Sequence, residues 1–143
     1  MKKLAFLVLL TAFSAGFAKA GDFEKELKKF VNNFSKVIKA QKYEEALPFF
    51  LPEYVAEQHD SNMGGNTIEF ISDFLSGQCE EFSNDIFVTP QLDQIVSIKY
   101  RDFYIANGVW VNLIVTLKNG ITIVVTNSVH IDGESLYFVG AFG

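Results

Sequence analysis

From Phe23 onward, apolar side chains recur at Leu27, Phe30, Phe34, Val37 and Ile38, at spacings of four, three, four, three and one. Those spacings place all six on one stripe of a long amphipathic α-helix. Asp22 stands where an N-cap or first-turn acid supports the helix start. The pair Gln41-Lys42 interrupts the stripe, and Tyr43-Glu44-Glu45-Ala46-Leu47 predicts a second, short helix that Pro48 and Pro52 keep from extending. Residues 59–65 are polar and glycine-bearing and read as a loop. Asn66-Thr67-Ile68-Glu69 then has capping-box spacing, with Asn in place of the usual Ser or Thr. Ile68, Ile71, Phe74 and Leu75 form the apolar face of a third helix, and Gly77 is positioned to end it in a left-handed cap. Residues 80–91 keep no firm period, contain Pro90, and predict a connecting segment with a short strand at 86–89.

After Gln94 the period changes. Residues 95–106, 109–118, 121–131 and 136–142 are rich in β-branched and aromatic side chains and predict four strands. Asn107-Gly108, Asn119-Gly120 and Asp132-Gly133 separate them, dipeptides that accept the positive φ of tight hairpin turns, so the strands form an antiparallel meander. If each turn is a two-residue loop, Ala106 faces Val109, Lys118 faces Ile121, and Ile131 faces Glu134. That register gathers the row Val109 to Leu117 with Asp102, Tyr104, Thr126, Ser128, His130 and Tyr137 on one face, which the helices cover. These six polar or amphipathic residues are the expected lining of a mostly apolar pocket. The opposite face collects Phe103, Ile105, Trp110 and Phe138, an expected subunit interface, because a sheet apolar on both sides needs a second cover.

The N-terminus sets the address. Lys2 and Lys3 precede a short apolar run from Leu4 to Phe17, and Ala18-Lys19-Ala20 offers small residues at both positions a signal peptidase reads. Residues 1–20 are therefore expected to be a signal peptide cleaved after Ala20, and residues 21–143 one periplasmic or secreted domain. The run falls short of the ~20 apolar residues a membrane span requires, so no stable membrane insertion is expected after cleavage. Loss of the leader removes three lysines and leaves nine basic against seventeen acidic side chains, a formal charge of −8. Such a surface disfavours binding to nucleic acid. The stretch from Tyr43 to Ile98 contains no Lys or Arg and eleven carboxylates. It reads as a solvated acidic surface or as a patch for a cationic ligand or basic partner, with Glu80 and Glu81 as its probe positions. Cys79 is the one cysteine, which excludes an intrachain disulfide, and it reads as a small buried hydrophobe.

Candidate chemistry is thin. Asp102 and His130 are tempting as an acid–base pair, but the expected register holds them roughly 16 Å apart. His130 then reads as a strand histidine near Ser128 or Ser135, and His59-Asp60 as a surface or turn pair. Asp60-Ser61-Asn62-Met63-Gly64-Gly65 begins like a calcium loop, but the twelfth position is Ile71 instead of glutamate. No His/Cys cluster suits zinc, no glycine-rich phosphate loop follows a strand, and no Ser or Cys sits in a nucleophile elbow, so no cofactor is expected.

The long helix, the segment Lys42-Tyr43-Glu44-Glu45-Ala46-Leu47, the capped third helix and the terminal meander with Asp132-Gly133-Glu134-Ser135-Leu136-Tyr137-Phe138-Val139 resemble the NTF2-like superfamily. The resemblance covers most of residues 22–142. It implies an α+β fold in which N-terminal helices pack on a curved antiparallel sheet of four or slightly more strands, leave a pocket on the concave side, and often dimerise through the outer face. It also implies a choice of functions: noncatalytic binding of a small apolar ligand or a protein partner, an isomerase- or dehydratase-like activity using cavity Asp, Tyr or His, or an accessory role in an envelope assembly. A cystatin-like domain is the rival fold, disfavoured by three separate helices before the meander.

Overall fold

The computed structural model describes residues 20–80 and 86–142. The expected leader therefore lies, Ala20 apart, outside the described residues, as does Glu81. Helix α1 (Ala20–Lys39) follows the predicted stripe: Phe23, Leu27, Phe34 and Ile38 are buried, joined by Val31, while Phe30 and Val37 are half-buried. Its lysines face water. The helix ends at Gln41, whose φ of 58° is left-handed and whose N–H bonds the Ile38 carbonyl at 3.0 Å.

The second predicted helix is a 3₁₀ helix, Tyr43–Phe49, with Pro48 inside it. An α-helix there would need the N–H that Pro48 lacks. A single turn, α2 (Pro52–Tyr54), runs directly into a π-helix over Val55–Asn62, so most of the predicted loop at 59–65 is helical, and His59 is buried within it. Helix α3 (Thr67–Phe74) starts as expected, with the Asn66 side chain accepting the Glu69 N–H at 3.0 Å. It ends at Phe74, not at Gly77. Gly77 opens strand β1 (Gly77–Cys79), where a Cβ would lie 2.1 Å from the Val124 carbonyl oxygen. Close backbone approach, not a helix cap, is what requires glycine there.

The remaining strands are β2 (Phe87–Val88), β3 (Ile95–Ile105), β4 (Val109–Leu117), β5 (Thr122–Asp132) and β6 (Ser135–Phe142). They form one antiparallel sheet in the order β2-β1-β5-β4-β3, with β6 also paired to β5. Strand β5 is thus the centre: β4 takes one edge, while β1 and β6 divide the other. The fold is α+β, with N-terminal helices packed on an antiparallel sheet, as the sequence predicts.

The register differs from expectation at all three turns, and at two of them the shift is by a single residue. Strands β3 and β4 close at Ile105–Val109 and strands β4 and β5 at Thr116–Thr122, so Ala106-Asn107-Gly108 and Lys118-Asn119-Gly120 act as three-residue loops. Gly108 and Gly120 still supply positive φ. A slip of one residue moves every side chain of a strand to the other face. Ile123, Val125, Asn127 and Val129 therefore join the Val109 to Leu117 row under the helices, and Thr122, Val124, Thr126, Ser128 and His130 turn outward. In β3 an irregularity between Tyr100 and Asp102 restores the phase, which leaves Ile98 inside as expected while Asp102 and Tyr104 point out. The last hairpin turns on Gly133-Glu134, with Ile131 opposite Leu136 instead of Glu134. That two-residue shift keeps the faces.

Phenylalanine fills the space between α1 and the sheet. The ring of Phe138 lies 4.7 Å from Phe30, 5.1 Å from Phe34 and 5.0 Å from Phe74, and Phe50 lies 4.6 Å from Phe74 and 4.9 Å from Phe70. Most meet at steep angles, the geometry aromatic quadrupoles favour. Helix α1 also shields the free edge of β3: Ser35 Oγ accepts the Ile98 N–H at 3.2 Å, and Tyr100 donates to Glu24 at 3.2 Å. Cys79 is buried beside β5, as expected.

Candidate functional site

The six residues expected to line an internal pocket stand on the outer face of the sheet, for the register reason above. They form a surface array. Asn112 Nδ2 donates to Asp102 Oδ1 at 2.6 Å, and Thr126 Oγ1 donates to Asn112 Oδ1 at 2.6 Å, a polar ladder across three strands. Arg101 reaches Glu80 at 3.6 Å, and Glu80 also accepts from Thr122 Oγ1 at 3.2 Å. Tyr104 stacks on Trp110 at 6.5 Å with the planes 15° apart, and Trp110 Nε1 donates to the Ala106 carbonyl at 2.8 Å. His130 is exposed and paired in register with Tyr137, and Ser128 with Gly140. Asp102 does not meet His130: it faces Asn112, which faces Thr126, four residues before His130.

The expected interface set also divides. Trp110 is on the outer face. Phe103 and Ile105 share the inner row with Val111 and Val109, Phe103 edge-on to Phe23 at 5.2 Å, and Phe138 is fully buried among the phenylalanines. Tyr104, Asn112, Ile114, Val124 and Tyr137 are among the residues that accompany Trp110 outside. The sequence carried the signal for this: Thr122, Thr126, Ser128 and His130 share one parity of β5, and Ile123, Val125 and Val129 the other. That alternation outranks an assumed loop length.

His59 was expected at the surface, but it is 6% exposed and bonded at both ring nitrogens. Nδ1 lies 2.6 Å from Asp60 Oδ1, and Nε2 lies 2.8 Å from Thr67 Oγ1. Hydroxyl, imidazole and carboxylate in series have the connectivity of a nucleophilic relay. Thr67 is only 5% exposed, however, which closes its oxygen to an incoming acyl group. The chain of bonds ties the π-helix to the first turn of α3, with the His59 ring edge-on to Phe70 at 5.4 Å. Asn127 is another buried polar residue, fully enclosed on the inner face, and neither Oδ1 nor Nδ2 has a hydrogen-bond partner.

Away from the sheet, an open groove of about 500 Å³ runs between the end of α1, the exposed side of α3 and residues 89–93. Ile68, Pro90 and Leu92 supply its apolar lining, and Tyr43 and Asp93, close enough for the carboxylate to act on the phenol, line it too. Burial, and then the Asp93 carboxylate, hold the Tyr43 hydroxyl above its usual pKa. The wall at 89–91 is fastened to α3 by Ser72 Oγ donating to the Pro90 carbonyl, and to the turn just after α3 by Ser76 Oγ donating to Thr89 Oγ1 at 2.9 Å. Sequence reading placed Tyr43 in the second helix, Ile68 on the apolar face of the third and residues 80–91 in a connecting segment of a basic-free stretch; Ile68 instead turns outward, and the convergence of the three segments was not visible. Among the described residues no group of three or more His, Cys, Asp or Glu is arranged to hold a metal ion, and no helix is long and apolar enough to cross a membrane. Comparison with family models, curated proteins and solved structures gives no match to this chain.

Proposed function

We propose that this chain is an exported, noncatalytic binding module of NTF2-like shape that works as a homodimer in the cell envelope. The observation that carries the reading is the occupied interior: where an isomerase- or dehydratase-like relative would keep a substrate cavity, Phe34, Phe50, Phe70, Phe74 and Phe138 pack against one another. Polar groups of the types such enzymes use, Asp102, Tyr104 and His130, stand on the other side of the sheet. Association through that outer face brings the half-buried Ile114 and Val124 out of water, with the Asp102-Asn112-Thr126 ladder and the Arg101–Glu80 pair at its polar positions. Export rests on the leader at residues 1–20, and mass spectrometry of protein from the envelope fraction tests it: the chain begins at Gly21. Sedimentation of the purified protein tests the assembly. The wild type sediments as a dimer at micromolar concentration and Ile114→Lys as a folded monomer; a wild-type monomer at that concentration overturns the homodimer.

A further inference from the structure

The groove beside α3 has a chemistry of its own, independent of the outer sheet face. Ile68 is 58% exposed in its lining, together with the buried Pro90 and Leu92. The carboxylate of Asp93 enters no ion pair among the described residues, and all of the groove from Tyr43 to Asp93 comes from the stretch with eleven carboxylates and no Lys or Arg. An apolar lining with a carboxylate close to an aromatic ring is complementary to a positive charge on a hydrocarbon stem. Gln41 adds to this. It lines the same groove, where the left-handed cap that ends α1 places its side-chain amide among the lining residues.

We propose that this groove binds a small amphiphilic organic cation, an ammonium group carried on an apolar stem, with the nitrogen between the Asp93 carboxylate and the Tyr43 ring and the stem along Ile68, Pro90 and Leu92. The volume, about 500 Å³, is within the range of small-molecule sites. A quaternary ammonium gains from the ring face and the carboxylate field, whereas a primary ammonium adds a charge-assisted hydrogen bond to Asp93.

The test is titration of the purified protein with octyltrimethylammonium and octylammonium below their micellar concentrations, followed by backbone amide NMR, with octanoate and 1-octanol as controls. The expected result is saturable shifts concentrated at Thr89, Gln91, Asp93 and Ile68, binding at least about tenfold tighter for the cations than for octanoate, and a loss of about tenfold for Asp93→Asn. Gln41→Gly binds more weakly while melting no lower than the wild type. Because Asp93 is exposed, Asp93→Asn keeps the wild-type melting temperature, which separates lost recognition from lost fold. Equal binding of octanoate, unchanged affinity in Asp93→Asn, or no saturable shift in the groove overturns the proposal. A lysine-bearing peptide that occupies the groove tenfold more tightly than octylammonium overturns the small-ligand assignment in favour of a protein tail. A monomeric protein that binds the cations leaves this site standing and removes only the dimer.

Discussion

Replacing Asn127 with valine should stabilise the protein, although it deletes the only polar side chain of an inner-face row that otherwise reads Ile123, Val125 and Val129. The amide is 0% exposed and both of its polar atoms lack a partner. Burying an amide without compensating hydrogen bonds costs about 1–3 kcal/mol on protein mutational scales. Valine removes that cost and suits a β-strand, a preference within a scale spanning ~1 kcal/mol. The expected gain is therefore about 1–3 kcal/mol. At roughly 4 °C per kcal/mol for a domain of this size, the melting temperature rises on the order of 4–12 °C. Asn112 is the internal control, since the same residue type on the outer face is bonded to both Asp102 and Thr126. Asn112→Val is expected to lose about 0.5–1.5 kcal/mol. Urea denaturation with a common m-value measures both variants, and opposite signs are the prediction. If Asn127→Val loses stability while remaining folded, the amide holds a partner in solution and the reasoning fails.

Three further outcomes follow from the same contacts. Thr67→Val leaves His59 Nε2 buried and unpaired and should cost about 1–3 kcal/mol, whereas Thr67→Ser costs less, and combining Thr67→Val with His59→Leu should be less damaging than the single losses summed, as denaturant melts will show. Gly77→Ala places a methyl 2.1 Å from the Val124 carbonyl oxygen and should lose at least about 1–3 kcal/mol by forcing β1 from β5, visible as faster hydrogen exchange at Gln78 and Cys79. Burial first, and then the charge of Glu24 and its hydrogen bond, raise the Tyr100 hydroxyl above its ordinary pKa of 10.0, and Tyr43 and Tyr54 are raised as well. The folded state then holds protons the unfolded chain releases, so this stabilisation is complete below pH 10 and declines as pH rises above it. Tyr100→Phe should flatten the fall in stability between pH 10 and 12; an unchanged slope contradicts the assignment.

The elements of this fold were legible because periodicity and turn residues report on local geometry: the stripe from Phe23 to Ile38 and the Asn66 cap act as read, and the glycines at 108, 120 and 133 mark the reversals and supply positive φ, though not in the two-residue turns expected of them. The site was less legible. Two hairpins each use one more loop residue than the shortest turn, and the irregularity near Arg101 reverses the parity within β3, so the same strand was read correctly at Ile98 and wrongly at Asp102 and Tyr104. Neither event has a strong local signature. Gly77 shows the same ambiguity, because glycine serves a helix cap and a close strand contact equally well, and only the position of Val124 decides between them. His59 was misplaced because the mostly polar segment Val55–Asn62 around it forms a π-helix instead of a loop, and its partner Thr67 belongs to the next helix.

The divided edge of β5 has a consequence for how the chain assembles. Its upper half meets β6 across a two-residue turn, but its lower half must wait for Gln78, forty-six positions earlier, to reach Val124. Loop closure over that distance is slower than hairpin zipping, so β3 to β6 condense first and the β1–β2 flap docks last. The same order reversed describes its opening: the flap detaches before the meander melts, and the strand that organises the sheet spends that interval with half of one side unclaimed.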